Sequence, residues 1–285
     1  RFEGDTLRIP YFSNRRLDET LPGIRRAVVV VHGTLRNAHA YFHAIEAAAA
    51  EVPGADTTSL LVAPQFLTEA DVAADTLPDD HLFWAYMGWR QGDQSLSTVA
   101  HPRPARISSF AVIDTILLRL AQNLPDLEKI VISGHSAGGQ FVNRYAAGNP
   151  VHDQLTGAWG LEVQYLFSNP SAYLYLDERR WVPGSAWSFA PPSPEQVAFC
   201  PGYDLYKYGL NDLNEYMDIG TATLRAQYSS RRVACLLGGN DNDPNSGYLE
   251  KNCEAMLQGE TRLQRGLLYR RHLIDTFGME ILANH

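Results

Sequence analysis

The sequence predicts an α/β domain: a mostly parallel central sheet, helices on both faces, and irregular cap-like insertions. Three observations predict it. Short apolar, β-branched runs alternate with helical segments from about residue 25 onward, the alternation that builds parallel sheets with right-handed crossovers. A serine flanked by glycines stands at a strand-to-helix junction in "KIVISGHSAGGQFVNRYA", residues 129–146. Two long aromatic stretches, 67–105 and 170–217, interrupt the rhythm, and unstructured loops of that length are usually functional.

The strand runs are "AVVVVHG" (27–33), "SLLVAPQF" (59–66), "KIVISGH" (129–135), "VQYLFSN" (163–169) and "RVACLLGG" (232–239). They are apolar almost throughout, as strands covered on both faces are. Asn37 is expected to cap the helix "AHAYFHAIEAAAA", which ends before Pro53. Across 108–124, Phe110, Ile113, Leu117, Leu120 and Leu124 recur at the helical period, and Pro125 closes the segment. A third helix should begin just after Ser136. No internal repeat or low-complexity linker divides the chain, so residues 1–285 are read as one domain, with the two insertions walling a cleft.

Composition sets bounds. At 285 residues, 45% hydrophobic and 20% charged, the chain has the make-up of an ordinary globular domain. A net charge of −8 gives no electrostatic basis for a nucleic-acid or anionic-membrane partner. The longest apolar run, "AVVVV" at 27–31, is far too short to cross a bilayer. Of the three cysteines, Cys235 sits in an apolar run and reads as a buried thiol. Cys200 and Cys253 flank loops; a disulfide between them and two free thiols are both open.

"GHSAG" at 134–138 fits G-x-S-x-G in the context that gives the pattern meaning, a strand before it and a helix after it. Ser136 is therefore the candidate nucleophile, raised on a tight turn, with the helix N-terminus behind it facing any anion that forms. Upstream, His32-Gly33 ends an apolar strand. Backbone amides of Thr34 and Ala137 are the candidate oxyanion donors, and His32 reads as a structural histidine that ties down the turn.

On these residues the chain resembles an α/β-hydrolase of the serine-esterase kind, from about residue 25 to the end. More narrowly, "HGTLRNAHAYF", "FSNPSAYLYL", "YKYGL" and "LLGGNDND" are similar to a group of uncharacterised, often exported members. The resemblance implies an acid in the turn after "VACLLGG". Asp241, spaced from Gly238 as G-x-x-D, is preferred over Asp243, which precedes Pro244; either could instead bind a cation, although no metal or organic cofactor is required. It also implies a late histidine. His272 falls opposite an apolar stripe of Leu263, Leu267, Ile274 and Phe277 and reads as a solvated surface residue, which leaves His285 as the candidate base. Similar chains continue with a further strand and a histidine loop, so the base is expected beyond residue 285, with His285 the alternative within the chain.

The function this implies is hydrolysis of a carboxylic ester, or a related acyl bond, through an acyl-enzyme on Ser136, with a small-molecule or polymeric ester as substrate. Alternatives on the same scaffold are an acyltransferase or lyase, or a catalytically silent hydrolase-fold protein that binds a ligand. Trp84, Trp89 and Trp187 are the candidate cleft aromatics, with Trp181, Tyr203 and Tyr206 nearby in sequence, and "RRW" at 179–181 could face a substrate carboxylate. The start at Arg1, the possible cysteine pair and the resemblance together suggest a secreted or periplasmic protein.

Overall fold

A computed structural model describes residues 7–74 and 77–285; the expected domain and its first insertion otherwise include residues 1–6, 75 and 76, which lie outside the described residues. The strands are β1 (Tyr11–Ser13), β2 (Arg26–Val31), β3 (Ser59–Pro64), β4 (Lys129–His135), β5 (Glu162–Ser168), β6 (Arg180–Trp181), β7 (Phe189–Ala190) and β8 (Arg232–Leu236). The helices are α1 (Ala38–Ala50), α2 (Ala55–Thr58), α3 (Glu69–Ala74), α4 (Ser109–Asn123), α5 (Ala137–Gly148), α6 (His152–Gly157), α7 (Pro194–Phe199), α8 (Thr221–Ser230), α9 (Cys253–Met256) and α10 (Arg262–Phe277). Six strands form one sheet in the order β1-β3-β2-β4-β5-β8, all parallel except β1 against β3.

The continuous apolar strands are explained by a cover on each face. Val29, Val31, Leu60, Val62, Ile130 and Ile132 point into the main core with Phe110, Ile113 and Leu117 of α4 and Phe141, Val142 and Tyr145 of α5. Val30, Leu61 and Ala63 point the other way, onto Ala38 and Phe42 of α1. Alternation within one strand serves two cores. Ser108 caps α4, its hydroxyl accepting from Phe110 N–H. At α1 the expected side-chain cap is absent: Asn37 holds the cap position without a side-chain bond, and Gln65 Oε1 accepts from Ala38 N–H instead, a partner 27 residues away.

The insertions are held by different means. In the first, Trp84 and Trp89 are wholly buried; Trp84 Nε1–H donates to the Asp93 and Ile107 carbonyls, and Trp89 stacks on Phe66. In the second, a β6–β7 ribbon precedes α7, which a Ser193/Gln196 capping box starts. A disulfide between Cys200 and Cys253, Cα atoms 5.7 Å apart, ties α7 to α9. Cys235, expected to be buried, lies exposed on β8, at the edge of the sheet. Its run is apolar, but only one side of β8 has a partner strand.

Titration of the denatured, unreduced protein should find one reactive thiol, Cys235, and three after reduction. Replacing Cys200 and Cys253 by serine should lower the unfolding free energy by about 2–4 kcal/mol, measured by urea denaturation.

Candidate active site

The site is assembled where β2, β4, β5 and β8 end side by side. Ser136 follows β4 with φ 58° and ψ −116°, a left-handed conformation that a side chain rarely adopts and that costs about 1–3 kcal/mol. The surroundings leave it no alternative. Ser136 N–H donates to Ser168 O at 2.9 Å, and Gln140 N–H donates to Ser136 O at 3.0 Å. A Cβ on Gly134 would lie closer than 3.0 Å to the Gly138 backbone, one on Gly138 equally close to the Val31 and His32 carbonyls, and one on Gly139 to Ser168 O. The glycines are there because three backbones meet. The Ser136 hydroxyl, half-buried, caps nothing.

The His32-Gly33 turn abuts the elbow through that Gly138 contact. His32 is fully buried, against Trp89 with ring centroids 4.5 Å apart. Its Nε2 accepts from Phe66 N–H and its Nδ1–H donates to Gly33 O, both at 3.0 Å, which sets the tautomer. Burial pushes its pKa down to about 4. This is a structural histidine. Beyond it, the N–H groups of Thr34 and Ala137 donate to no group among the described residues.

Asp241 lies on the same edge, in the loop after β8. Asn169, at φ 44°, links that loop to β5: its N–H donates to Leu236 O and its Oδ1 accepts from Gly238 N–H at 2.7 Å. Asp241 Oδ1 accepts from Arg262 Nη1 at 3.0 Å, and its backbone carbonyl accepts from Leu263 N–H, so the carboxylate rests on the first turn of α10. Both Asp241 and Arg262 act on His135, beside the serine: burial first and then Arg262 lower the His135 pKa, and Asp241 opposes them. Asp243 accepts from Asn245 N–H and shapes the exposed turn.

The late histidines are elsewhere. His285 Nε2 is 2.9 Å from Tyr228 O, and Val233, near the start of β8, donates to Asn284 O. That is the opposite end of a strand whose far end carries the site, so the structure does not bring His285 to Ser136. His272 is not solvated. It is wholly buried between Tyr175 and Phe189, with Nε2 3.4 Å from Asp177 Oδ1, and burial holds its imidazole neutral. The α10 face that turns inward carries Arg265, Tyr269 and His272 rather than Leu267, which is exposed. Hydrophobic period misread this helix because its inner neighbours are rings and carbonyls: Tyr173 stacks on Tyr269, Tyr175 packs on His272, and the Gly259 and Ser171 carbonyls accept from Arg265. Among the described residues no imidazole hydrogen-bonds Ser136 or Asp241.

Trp84 and Trp89, expected in the cleft, are core residues under the His32 turn; Trp187 is exposed at the β6–β7 bend. The "RRW" arginines are also spent internally, Arg179 on Asp177 and Asp275, Arg180 on Asp204 and nearby carbonyls. Sequence reasoning missed Asn169 and Arg262; an asparagine closing a strand run was the only available signal for the first. A cavity of about 820 Å³ lies apart from the elbow, between Leu7–Tyr11 and α4.

No family model matches the chain, and no curated protein matches it. Among solved structures, the chain is similar to the LpqC poly(3-hydroxybutyrate) depolymerase of Bordetella parapertussis, with 18% identity, a TM-score of 0.58, and cover of 95% of this chain and 75% of that one. It is equally similar to poly(aspartic acid) hydrolase-1 of Sphingomonas sp. KT-1, with 22% identity, a TM-score of 0.58, and cover of 97% and 88%. The chain has the α/β-hydrolase fold. Within that α/β-hydrolase fold the elbow follows the central strand β4, and the His32 turn follows its neighbour β2.

Gly138→Ala should lower stability by at least about 1–3 kcal/mol, because neither facing carbonyl can retreat. Gly157→Ala, which meets nothing within 4 Å, should be neutral or stabilising; urea midpoints compare the two. A second expectation concerns acid. His32 is held neutral in the fold, so the unfolded chain takes the proton first. Stability should fall as pH drops from about 6.5 to about 4, by an amount approaching ~3 kcal/mol for this residue. His32→Gln should start less stable and lose less over that window.

Proposed function

We propose that the protein is a serine hydrolase that cleaves a carboxylic ester, or a related acyl bond, through an acyl-enzyme on Ser136. One observation carries this: a serine at φ 58° whose hydroxyl caps nothing, beside the N–H groups of Thr34 and Ala137 that donate to nothing among the described residues. A strained residue persists where its surroundings impose it, which supports a role for this serine.

In this reading Ser136 Oγ attacks the ester carbonyl as a histidine base takes its proton. The Thr34 and Ala137 amides hold the tetrahedral oxyanion, typically lowering the barrier by several kcal/mol. The protonated base then gives its proton to the leaving alcohol, and water, activated by the same base, releases the acid. Asp241 is the acid that orients and stabilises the imidazolium. The solved structures similar in fold are named for cleaving polymers, and a small or polymeric ester suits this reading. The Cys200–Cys253 bond supports an oxidising compartment, secreted or periplasmic. No helix of the described chain is long and apolar enough to cross a membrane.

The ion pair of Asp241 with Arg262 favours a second reading: a silent hydrolase-fold protein that binds its ligand without turnover. Fluorophosphonate labelling of the full-length protein, carried past residue 285 where its gene continues, decides between them. The hydrolase reading expects rapid modification at Ser136, and 4-nitrophenyl ester turnover that Ser136→Ala reduces by at least a thousandfold and Asp241→Asn by at least tenfold. A folded protein whose Ser136 neither labels nor turns over ester fits the silent binder.

A further inference from the structure

Ser136, Gln140 and Arg144 follow one another at four-residue spacing along the start of α5, and behind the serine this line runs into a buried cluster of charge. Arg90 enters from the first insertion, Lys207 and Tyr208 from the second, and Glu250 from the segment after β8. Lys207 Nζ lies 3.3 Å from Glu250 Oε1, and Arg90 Nη2 lies 3.5 Å from Glu250 Oε2. Gln140 Nε2–H and the Tyr208 hydroxyl donate to the same carboxylate. Arg144, wholly buried, donates through Nε to Lys207 O and through Nη1 to Arg90 O.

The cations outnumber the anion. Arg90, Arg144 and Lys207 surround one carboxylate, Glu250, whose pKa they pull down to about 2 against its burial. Three of their buried nitrogens, Nε and Nη2 of Arg90 and Nη2 of Arg144, make no hydrogen bond among the described residues. Buried, uncompensated charge with open N–H groups is costly, and native folds rarely keep it without a partner. The chemistry of the Arg90 edge is specific. Nε and Nη2 form the side edge of a guanidinium, where two N–H bonds run parallel and match the two oxygens of a carboxylate. The side chains of Arg90, Glu250 and Lys207 are 8%, 8% and 12% exposed.

We propose that Arg90, with Arg144 and Lys207, forms a carboxylate subsite next to the nucleophile, taking a free acid group carried by the substrate. The substrate class is then an acyl ester with a second carboxylate. From Ser136 to Gln140 the helix rises about 6 Å, roughly the span of a six-carbon chain that includes the ester and acid carbons. The position of the subsite along the substrate rests on the serine-hydrolase reading; the binding of a carboxylate does not.

The experiment has two arms. Calorimetry on Ser136→Ala protein measures adipate binding: submillimolar affinity is expected, weakened at least tenfold by Arg90→Gln or, should that variant not fold, by Lys207→Met. Kinetics on the wild type compare mono-4-nitrophenyl adipate with 4-nitrophenyl hexanoate, and at least a tenfold preference in kcat/KM for the half-acid is expected, collapsing towards unity in the same variant. Adipate binding without turnover of either ester supports the subsite while removing the hydrolase reading. Turnover with no adipate binding and no preference overturns the subsite and leaves that reading intact. Inorganic phosphate binding more tightly than adipate overturns the carboxylate assignment.

Discussion

The structure depends on backbone approaching backbone without side chains between. At the end of β4, Gly134 faces Gly138, Gly138 faces the Val31 and His32 carbonyls, and Gly139 faces Ser168 O. These contacts lock β2, β4, β5 and α5 together at one point, and they set the conformation of Ser136. The strain is local and the support is distributed. A residue at φ 58° stays there because its neighbours cannot move, and its N–H and C=O are both bonded. The same contacts carry the His32 turn up to the elbow, so the open amides of Thr34 and Ala137 follow from close packing as much as from the serine itself.

Around this point the fold solves a problem that long insertions create. Irregular backbone buried in a domain leaves carbonyls without partners, and such groups must be satisfied. Here arginines satisfy many of them. Arg231 donates to Ala146 O and Asn149 O, Arg180 to Asp177 O and Tyr203 O, and Arg265 to Gly259 O and Ser171 O. A planar guanidinium with five donors reaches two or three carbonyls at once, which a lysine cannot do. Against that background the open edge of Arg90 stands out, because nearby guanidiniums of the same depth are more fully used. The two insertions converge there, Arg90 from the first and Lys207 from the second.

Much of the architecture was determined by the sequence alone. The strand runs, α4 and α5 are read from apolar period and from the residues that end them, since both depend on chemistry local to the chain. The elbow was equally legible, because three glycines around a serine after an apolar run have few other uses. The Cys200–Cys253 pairing was left open, and only proximity in space decided it.

Tertiary structure decided the rest, for one physical reason: burial belongs to surfaces, not to residues. Trp84 and Trp89 look like cleft aromatics in an irregular stretch, yet the stretch folds inward and makes them core. Gln65 replaces Asn37 as the cap of α1 because a strand end brings its amide there. His272 and Arg265 face inward because Tyr173, Tyr175 and the loop carbonyls line that side of α10. Asp241 meets Arg262, and His285 stays by Tyr228, through contacts between segments that no spacing encodes. Sequence alone determined the sheet, its helices and the serine's turn; which charges and rings close around them was decided by packing across the chain.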